Sequence, residues 1–386
     1  MVKEITVTEK GCGALAEIVR SEAHGGRVLL LTETGEGAHD LVAALSLAGL
    51  TLTRREVTDG VLSDYASLGE ERVPEGVMAV VGAGGAPAIQ AAKGVRPARH
   101  LPRFLIPLDL SGLVALDSRA FFGTKGDVLT LKEEGARVLI EKGILTSSSR
   151  LRAGLGILLA HLAEGIDGVY EALIKRGRCP APALSLLSSA AARLVSIREQ
   201  SAPADTVEVA LAWAEEGLFD LPHSSAAHLF AMLASKKAGG RYDDYLFPAA
   251  YSLLRLYDRY LGDLPLEHAA PPDRARSVSA LRTRCGLEET PLFARAEEYA
   301  EGYEDRARLT AEYREDFREI IEEGKLPLSA ISRVYRRAGR KENEGGSLSP
   351  SELLSLLSLT GEAVSGYPLL RQIWATGLLE PLIAAS

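Results

Sequence analysis

The sequence predicts an α/β domain with a parallel, Rossmann-like sheet, followed by an all-α domain. Up to about residue 150, short β-rich runs alternate with helical stretches, as in strands joined by crossover helices. Beyond that point the β signal fades, and apolar residues recur every three or four positions. The 386 residues are enough for two separate cores. We therefore predict an α/β domain over 1–150 and a helical domain over 151–386.

The predicted strands of the first half are apolar or alternating runs bounded by turn residues. They are RVLLLTE (27–33), TLTRREV (51–57), GVMAVVGAG (76–84), RFLIPLD (103–109) and ARVLIEKG (136–143), with helical stretches at 38–49 and 86–95. Strands separated by helices form a parallel sheet that is covered on both faces. Ligands of such sheets bind at the carboxyl ends of the strands, and the glycine cluster at 82–85 lies at such an end.

The second half contains long amphipathic stretches. They begin near residues 151, 225, 245 and 308. Near the C-terminus, Ser349, Pro350 and Glu352 have the order of an N-cap, a first helical position and the third residue of a capping box. We predict that a helix begins there.

Charge and composition exclude several classes of function. The net charge of -8 opposes binding to a phosphate backbone, and the basic stretch at 333–341 is followed directly by acidic residues, as at a solvated helix end. We therefore expect no nucleic-acid partner. No apolar window has the length of a membrane span, so we expect no membrane partner and a cytoplasmic protein. The cysteines Cys12, Cys179 and Cys285 are scattered, which is typical of reduced structural thiols.

Residues 78–94, MAVVGAGGAPAIQAAKG, read as a strand, a glycine turn and the start of a helix. The first-turn N–H groups of a helix have no partner within the helix, and the helix dipole favours an anion there. Pro87 lacks an N–H and removes one possible contact. The turn is therefore that of a dinucleotide loop from which contacts have been removed.

The order of these features resembles the superfamily of iron-dependent alcohol dehydrogenases, glycerol dehydrogenases and dehydroquinate synthases. The resemblance covers nearly the whole chain: a glycine turn, a strand ending in proline, the sequence AGLG at 153–156, and two helices that carry histidines. It implies NAD or NADP on the first domain, zinc or iron on the helical domain, a substrate in the cleft between them, and a homo-oligomer.

The cofactor motifs of that superfamily are only partly present. Its pattern GxGGGSxxDxxK matches at Gly82, Gly84, Gly85 and Lys93, whereas Pro87 and Gln90 replace the serine and the aspartate. In the next motif, PTT or PTS, Leu108 and Asp109 replace the hydroxyl residues that follow Pro107. After the first strand, Thr32 and Glu33 can accept hydrogen bonds from an adenosine ribose. The resemblance thus implies cofactor binding by Gly82, Gly84, Gly85, Lys93, Asp109, Thr32 and Glu33, in an altered site.

The metal motif departs further from the pattern. GDxxxH becomes GILLAH, so Ile157 stands at the aspartate position and His161 at the histidine position. A second family histidine matches His228, and Tyr242 stands fourteen residues further on at the third. Zinc or iron(II) needs at least three nitrogen or oxygen ligands, so these replacements argue against a metal. The alternative is a rebuilt site, in which Asp243 or Asp244 joins His161 and His228.

Three functional hypotheses remain open. The first is a divergent protein without the metal-dependent dehydrogenase activity, which binds a nucleotide or another small anionic or polyol ligand. There, His228 and Tyr242, with Tyr245, are the candidates for metal-free acid–base chemistry. The second is an active NAD(P)-dependent alcohol or polyol dehydrogenase with a rebuilt metal site. The third is a non-catalytic subunit that pairs with an intact paralogue.

Overall fold

The computed structural model describes most of both halves of the chain. The described residues are 4–33, 36–57, 73–95, 100–124, 127–132, 135–147, 150–176, 181–262, 303–321, 328–338, 349–364, 366, 368–375 and 378–384. Cys179, Cys285 and residues 339–341 of the basic stretch lie outside them.

The chain divides into two compact units. The first contains Met1–Thr124, Leu129–Ile157 and Ile197–Asp220, and the second contains Lys125–Val128, Leu158–Ser196 and Leu221–Ser386. The first unit thus includes a segment from the second half of the sequence. The boundary at residue 150 stays a prediction.

A parallel sheet of six strands forms the centre of the first unit. Its strands are β1 (Glu4–Thr8), β2 (Arg27–Thr32), β3 (Thr51–Glu56), β4 (Val77–Gly84), β5 (Arg103–Pro107) and β8 (Arg137–Glu141). They lie in the order β1-β8-β5-β4-β2-β3. The predicted fold class is confirmed, because the predicted strands pair in parallel and a mostly helical chain follows them.

Three described strands were not predicted from the sequence. β1 is an edge strand with the sequence EITVT, and no residue in it is fully buried. Such a strand lacks the continuous apolar run that identifies a central strand. β6 (Arg119–Thr124) and β7 (Asp127–Lys132) pair with each other in a separate two-stranded sheet.

Helices cover the sheet and bury its apolar residues. The helices before residue 150 are α1 (Gly11–Glu22), α2 (Glu36–Leu47), α3 (Ala86–Gly94) and α4 (Lys142–Thr146), with a 3-10 helix at Leu110–Leu116. Leu15 and Val19 of α1 and Leu41 and Leu45 of α2 pack with Val28, Leu30, Val81, Phe104 and Leu139 of the strands. This core fixes the carboxyl ends of β2 and β4 beside each other.

The rest of the described chain is helical. Its helices are α5 (Leu151–Arg176), α6 (Ala181–Val195), α7 (Ala202–Glu216), α8 (Ala226–Ala238), α9 (Tyr242–Gly262), α10 (Tyr303–Glu312), α11 (Arg314–Ile321), α12 (Leu328–Ala338), α13 (Pro350–Ala363), α14 (Leu369–Ala375) and α15 (Leu379–Ala384). The predicted capping box is confirmed: Glu352 N–H donates to Ser349 Oγ at 3.3 Å, and Ser349 N–H donates to Glu352 Oε2 at 2.9 Å. None of the helices in the described ranges is both long and apolar enough to cross a membrane.

Candidate functional sites

The glycine turn joins β4 to α3 beside the end of β2. Thr32 of β2 pairs with Ala83 of β4, so the next residue, Glu33, lies beside Gly84. Gly84 has a φ of 151°, and a Cβ added there would lie 2.9 Å from Glu33 Oε2. Glycine is therefore favoured at this position by a backbone conformation that other residues rarely adopt, and a Cβ there would also displace the Glu33 carboxylate.

Side chains of the chain itself occupy the donors of this turn. Gly85 N–H donates to Glu33 Oε2 at 2.7 Å, and Ala86 N–H donates to Ser111 Oγ at 2.9 Å. Pro87, which follows, has no N–H to offer. A carboxylate at a helix N-terminus is stabilised by the helix dipole. Glu33 thus holds the position that a phosphate takes at a loop of this kind.

Asp109 is held by the helix that it begins. Its Oδ1 accepts hydrogen bonds from Ser111 N–H at 2.7 Å and Gly112 N–H at 3.3 Å, at the N-cap of the 3-10 helix. A Cβ at Gly112 would lie 2.6 Å from Gly84 O, so this helix packs directly against the glycine turn. Asp109 therefore places Ser111 where its hydroxyl can accept from Ala86.

Lys93 and Thr32 are buried away from the turn's donors. The Lys93 ammonium donates to the carbonyl oxygens of Val114, Asp117 and Arg119 at 2.6–2.8 Å. Its three donors are thereby engaged, and burial lowers the pKa of Lys93 to about 7. The Thr32 hydroxyl donates to the Glu33 carbonyl oxygen at 3.2 Å. In this geometry Lys93 holds residues 114–119 by hydrogen bonds and is not directed toward an anion at the turn.

The residues around the turn do not fit a dinucleotide pyrophosphate. A pyrophosphate needs free N–H groups and a cation, whereas Glu33 presents a carboxylate and Lys93 is directed to carbonyl groups. Asp109 adds a second carboxylate close by. Of the glycines predicted for the cofactor, Gly84 and Gly85 form the turn and Gly82 lies within β4, and the N–H groups of Gly85 and Ala86 are taken by side chains of the chain itself.

The second candidate site is a histidine cluster that includes His161 of the long helix α5. Ile157, His161 and Glu164 share one face of that helix because they are four and three residues apart. The His161 ring centroid lies 6.1 Å from that of His228 on α8 and 5.7 Å from that of His223. His161 and His228, which were predicted to lie together, are brought together here.

Glu164 fixes the ring of His228. Its Oε1 accepts from His228 Nδ1 at 2.9 Å and from the His228 backbone N–H at 3.1 Å, and both side chains are fully buried. A carboxylate on Nδ1 sets the tautomer and the orientation of an imidazole. Any proton transfer or ligand bond by this ring must therefore use Nε2.

The residues at the start of α9 have different partners. The Tyr242 ring centroid lies 6.4 Å from that of His228, and Tyr242 is 3% exposed. Asp243 is fully buried and accepts from the Arg241 guanidinium, with Nε at 3.0 Å from Oδ1. Asp244 N–H donates to the Arg241 carbonyl oxygen, and Tyr245 OH donates to the Gly239 carbonyl oxygen. Tyr242 thus lies beside His228, whereas Asp243 is neutralised by an arginine.

A hydrogen-bond network behind the histidines was not predicted from the sequence. Asp167 Oδ2 accepts from Ser224 Oγ at 2.7 Å, and its Oδ1 accepts from Leu369 N–H at 2.9 Å. Burial raises the pKa of Asp167 to about 7, and the Glu164 carboxylate acts in the same direction. Asp167 joins α5 to the segment before α8 and to the start of α14.

A close helix–loop contact supports this network. A Cβ at Gly168 would lie 1.7 Å from the Pro222 carbonyl oxygen, so only glycine lets residues 221–224 pack against α5. This contact brings His223 and Ser224 to the cluster. The acids three and six residues after His161, together with Gly165 and Gly168, are the sequence signal that could have revealed it.

These residues do not fit a divalent metal. A hydrocarbon stands at Ile157, Glu164 is bound to His228, and Asp243 is bound to Arg241. Within the described ranges, no three histidine, cysteine or acidic side chains are grouped so that they could hold an ion. His161 and His228 supply only two of the three protein ligands of zinc sites, and Nδ1 of the third imidazole, His223, contacts the Leu221 carbonyl oxygen.

Comparisons with solved structures identify the fold. An iron-containing alcohol dehydrogenase from Thermotoga maritima superposes with a TM-score of 0.58 at 13% identity, covering 100% of this chain and 98% of that one. The chain has the fold of the iron-containing alcohol dehydrogenases. A maleylacetate reductase from Agrobacterium tumefaciens matches with a TM-score of 0.55 at 13% identity, over 99% of this chain and 95% of that one.

A third solved structure has the same fold. A probable glycerol dehydrogenase from Sinorhizobium meliloti gives a TM-score of 0.51 at 15% identity, over 87% of this chain and 96% of that one. The predicted resemblance is therefore confirmed for the fold. No protein-family model matches the sequence, and no curated protein sequence matches it.

Proposed function

We propose that this chain is a divergent protein with the iron-dehydrogenase fold that does not perform metal-dependent alcohol oxidation. The observation that carries the proposal is the loss of ligand chemistry around His161 and His228. Ile157 and Tyr242 stand where the resemblance requires an aspartate and a histidine, and Arg241 engages the Asp243 carboxylate.

Charge supports the same conclusion. A dication bound between the histidines would have to recruit a carboxylate, and those of Glu164, Asp167 and Asp243 already have partners within hydrogen-bond distance. Moving the fully buried Asp243 carboxylate away from Arg241 would break a largely buried ion pair, which is strongly unfavourable. A metal rebuilt from Asp243 is therefore disfavoured.

The ligand that we propose is a small anionic or polyol molecule in contact with His228 and Tyr242. Glu164 holds the proton on His228 Nδ1, so Nε2 is the atom that can accept or return a proton. The Tyr242 phenol, whose ring lies beside that imidazole, is the second candidate for proton transfer. Such a pair supports general acid–base chemistry on a hydroxyl or carbonyl group without a metal.

The test is metal and cofactor binding by the purified full-length chain. We expect less than about 0.1 equivalent of zinc or iron after purification without chelators. We also expect no rise in melting temperature with Zn²⁺ or Fe²⁺, since a ligand of the native state must stabilise it. Reduction of NAD or NADP with glycerol, 1,2-propanediol or butanol as substrate should stay at the background rate.

Other outcomes support the other hypotheses. Stoichiometric metal with metal-dependent alcohol oxidation would overturn the proposal in favour of a rebuilt dehydrogenase. Co-purification with a homologous chain, together with no ligand response, would instead support a non-catalytic subunit. The expected homo-oligomer and cytoplasmic location stay predictions.

A further inference from the structure

The Glu33 carboxylate occupies the glycine turn, where the unpaired N–H groups of a helix start would receive an anion. Parallel pairing of β2 with β4 places Glu33 beside Gly84, and its Oε2 accepts the Gly85 N–H at 2.7 Å. Glu33 follows the end of β2 and Gly85 precedes the start of α3, and β2 and β4 are paired in one sheet.

The neighbouring backbone positions also offer no N–H group that could bind an anion. Ser111 Oγ accepts the next N–H, that of Ala86, at 2.9 Å, and Pro87 has none. The nearest lysine of the helix, Lys93, donates to three carbonyl groups. An incoming phosphate would therefore meet two acceptors, the Glu33 carboxylate and the Ser111 hydroxyl, while the Lys93 ammonium is directed to carbonyl groups.

We propose that Glu33 is a specificity-determining residue that acts as an internal anion and excludes phosphate from the glycine turn. The inference rests on the proposed function, because it restricts the proposed ligands of this chain. It excludes ligands that would bind through a pyrophosphate group at this turn. Like charges placed together at a binding site suppress the wrong partner. Removal of the Glu33 carboxylate therefore opens the turn to anions.

The experiment is calorimetric titration of the full-length chain with inorganic pyrophosphate and with ADP at low ionic strength. The variants are Glu33→Ala, which removes the carboxylate and its hydrogen bond, and Glu33→Gln, which keeps an acceptor oxygen for Gly85. The matched control is Glu56→Gln: Glu56 ends β3, is exposed, and lies one strand further from the turn.

We expect Glu33→Ala to bind pyrophosphate at least about tenfold more tightly than the wild-type chain, with Glu33→Gln in between. Glu56→Gln should bind like the wild type, because it changes net charge at the same edge of the sheet without touching the turn. Circular dichroism establishes whether each variant is folded. If Glu33→Ala is not folded, the pyrophosphate affinity of the isosteric Glu33→Gln tests the inference.

One result would overturn the inference: folded Glu33 variants that bind pyrophosphate and ADP no more tightly than the wild type. Metal-dependent alcohol oxidation by the wild type would overturn the proposed function, whereas the affinity order of these variants decides the role of Glu33.

Discussion

The two candidate sites differ in which part of the chain builds them. The glycine turn is made of backbone N–H groups, and these groups keep their position while they donate to the Glu33 carboxylate and the Ser111 hydroxyl. The histidine cluster is made of side chains, and two positions of the expected ligand set are occupied by Ile157 and Tyr242.

This difference determines how easily each site could be restored. A backbone site survives substitution of its surroundings, because any residue except proline supplies an N–H. A side-chain site loses its chemistry with each replaced ligand, because a metal needs several donors at once. We therefore expect one substitution to open the turn and at least two to rebuild a metal site.

The largest expected effect comes from restoring both ligands with Ile157→Asp and Tyr242→His. Ile157 is fully buried, so the new carboxylate lowers the free energy of unfolding of the metal-free variant by roughly 3–5 kcal/mol. Zinc should reverse that loss, because the aspartate and three histidines form a four-ligand set. Zinc titration followed by melting temperature measures both parts.

The matched controls are the two single variants and Ile157→Val. The single variants should bind zinc much more weakly than the double variant, and Ile157→Val should lose no more than about 1.5 kcal/mol without any response to zinc. If the folded double variant bound zinc no better than the wild type, lost ligands would not explain the difference between the two sites.

The sequence predicted the backbone site better than the side-chain site. The glycine turn follows from a local pattern of strand, glycines and helix start, and the structure places Gly84 and Gly85 at that turn, whereas Gly82 lies within β4. The presence of Glu33 on the turn depends on the pairing of β2 with β4, which joins residues 52 positions apart. No local pattern specifies that contact.

The partners in the histidine cluster were hidden for a related reason. Glu164 and Asp167 can be read from the sequence as acids on an apolar helix, but their contacts with His228, Ser224 and Leu369 span 57 to 202 residues. Asp243 similarly appears available in the sequence, and only the folded chain pairs it with Arg241. Local periodicity predicted the helices, and long-range packing determined their hydrogen bonds.

The next largest effect should come from Glu164→Ala in the histidine cluster. It leaves two buried donors of His228 without their acceptor, so we expect a loss of about 2–4 kcal/mol in urea unfolding. Glu164→Gln is the control, since its carbonyl oxygen can still accept, and it should lose less. Stability of Glu164→Ala close to that of the wild type would show that this pair does not organise the cluster.

Asp167 gives the histidine cluster a pH dependence. Its pKa is raised from 3.8 to about 7, so between these pH values the folded chain holds a proton that the unfolded chain has lost. Stability contributed by this group is present below pH 4 and is lost as the pH rises to about 7. Against Asp167→Asn, the wild type should lose about 2–3 kcal/mol over that interval. A difference between the two chains that does not vary with pH would contradict this.

The smallest effect should come from Ser111→Ala at the glycine turn. Ala86 N–H then loses its acceptor, so we expect a decrease of about 1 kcal/mol in the free energy of unfolding. The exposed Ser46→Ala on α2 is the control and should change stability by less than about 0.5 kcal/mol.

Substitutions of Ser111 and Glu33 should also differ in their effect on anion affinity. The Ser111 hydroxyl is neutral and the Glu33 carboxylate is charged, so Ser111→Ala should lower stability without the gain in pyrophosphate affinity expected for Glu33→Ala. A comparable gain in pyrophosphate affinity in both variants would contradict this. It would mean that the engaged N–H groups alone prevent anion binding and that the charge of Glu33 has no additional effect.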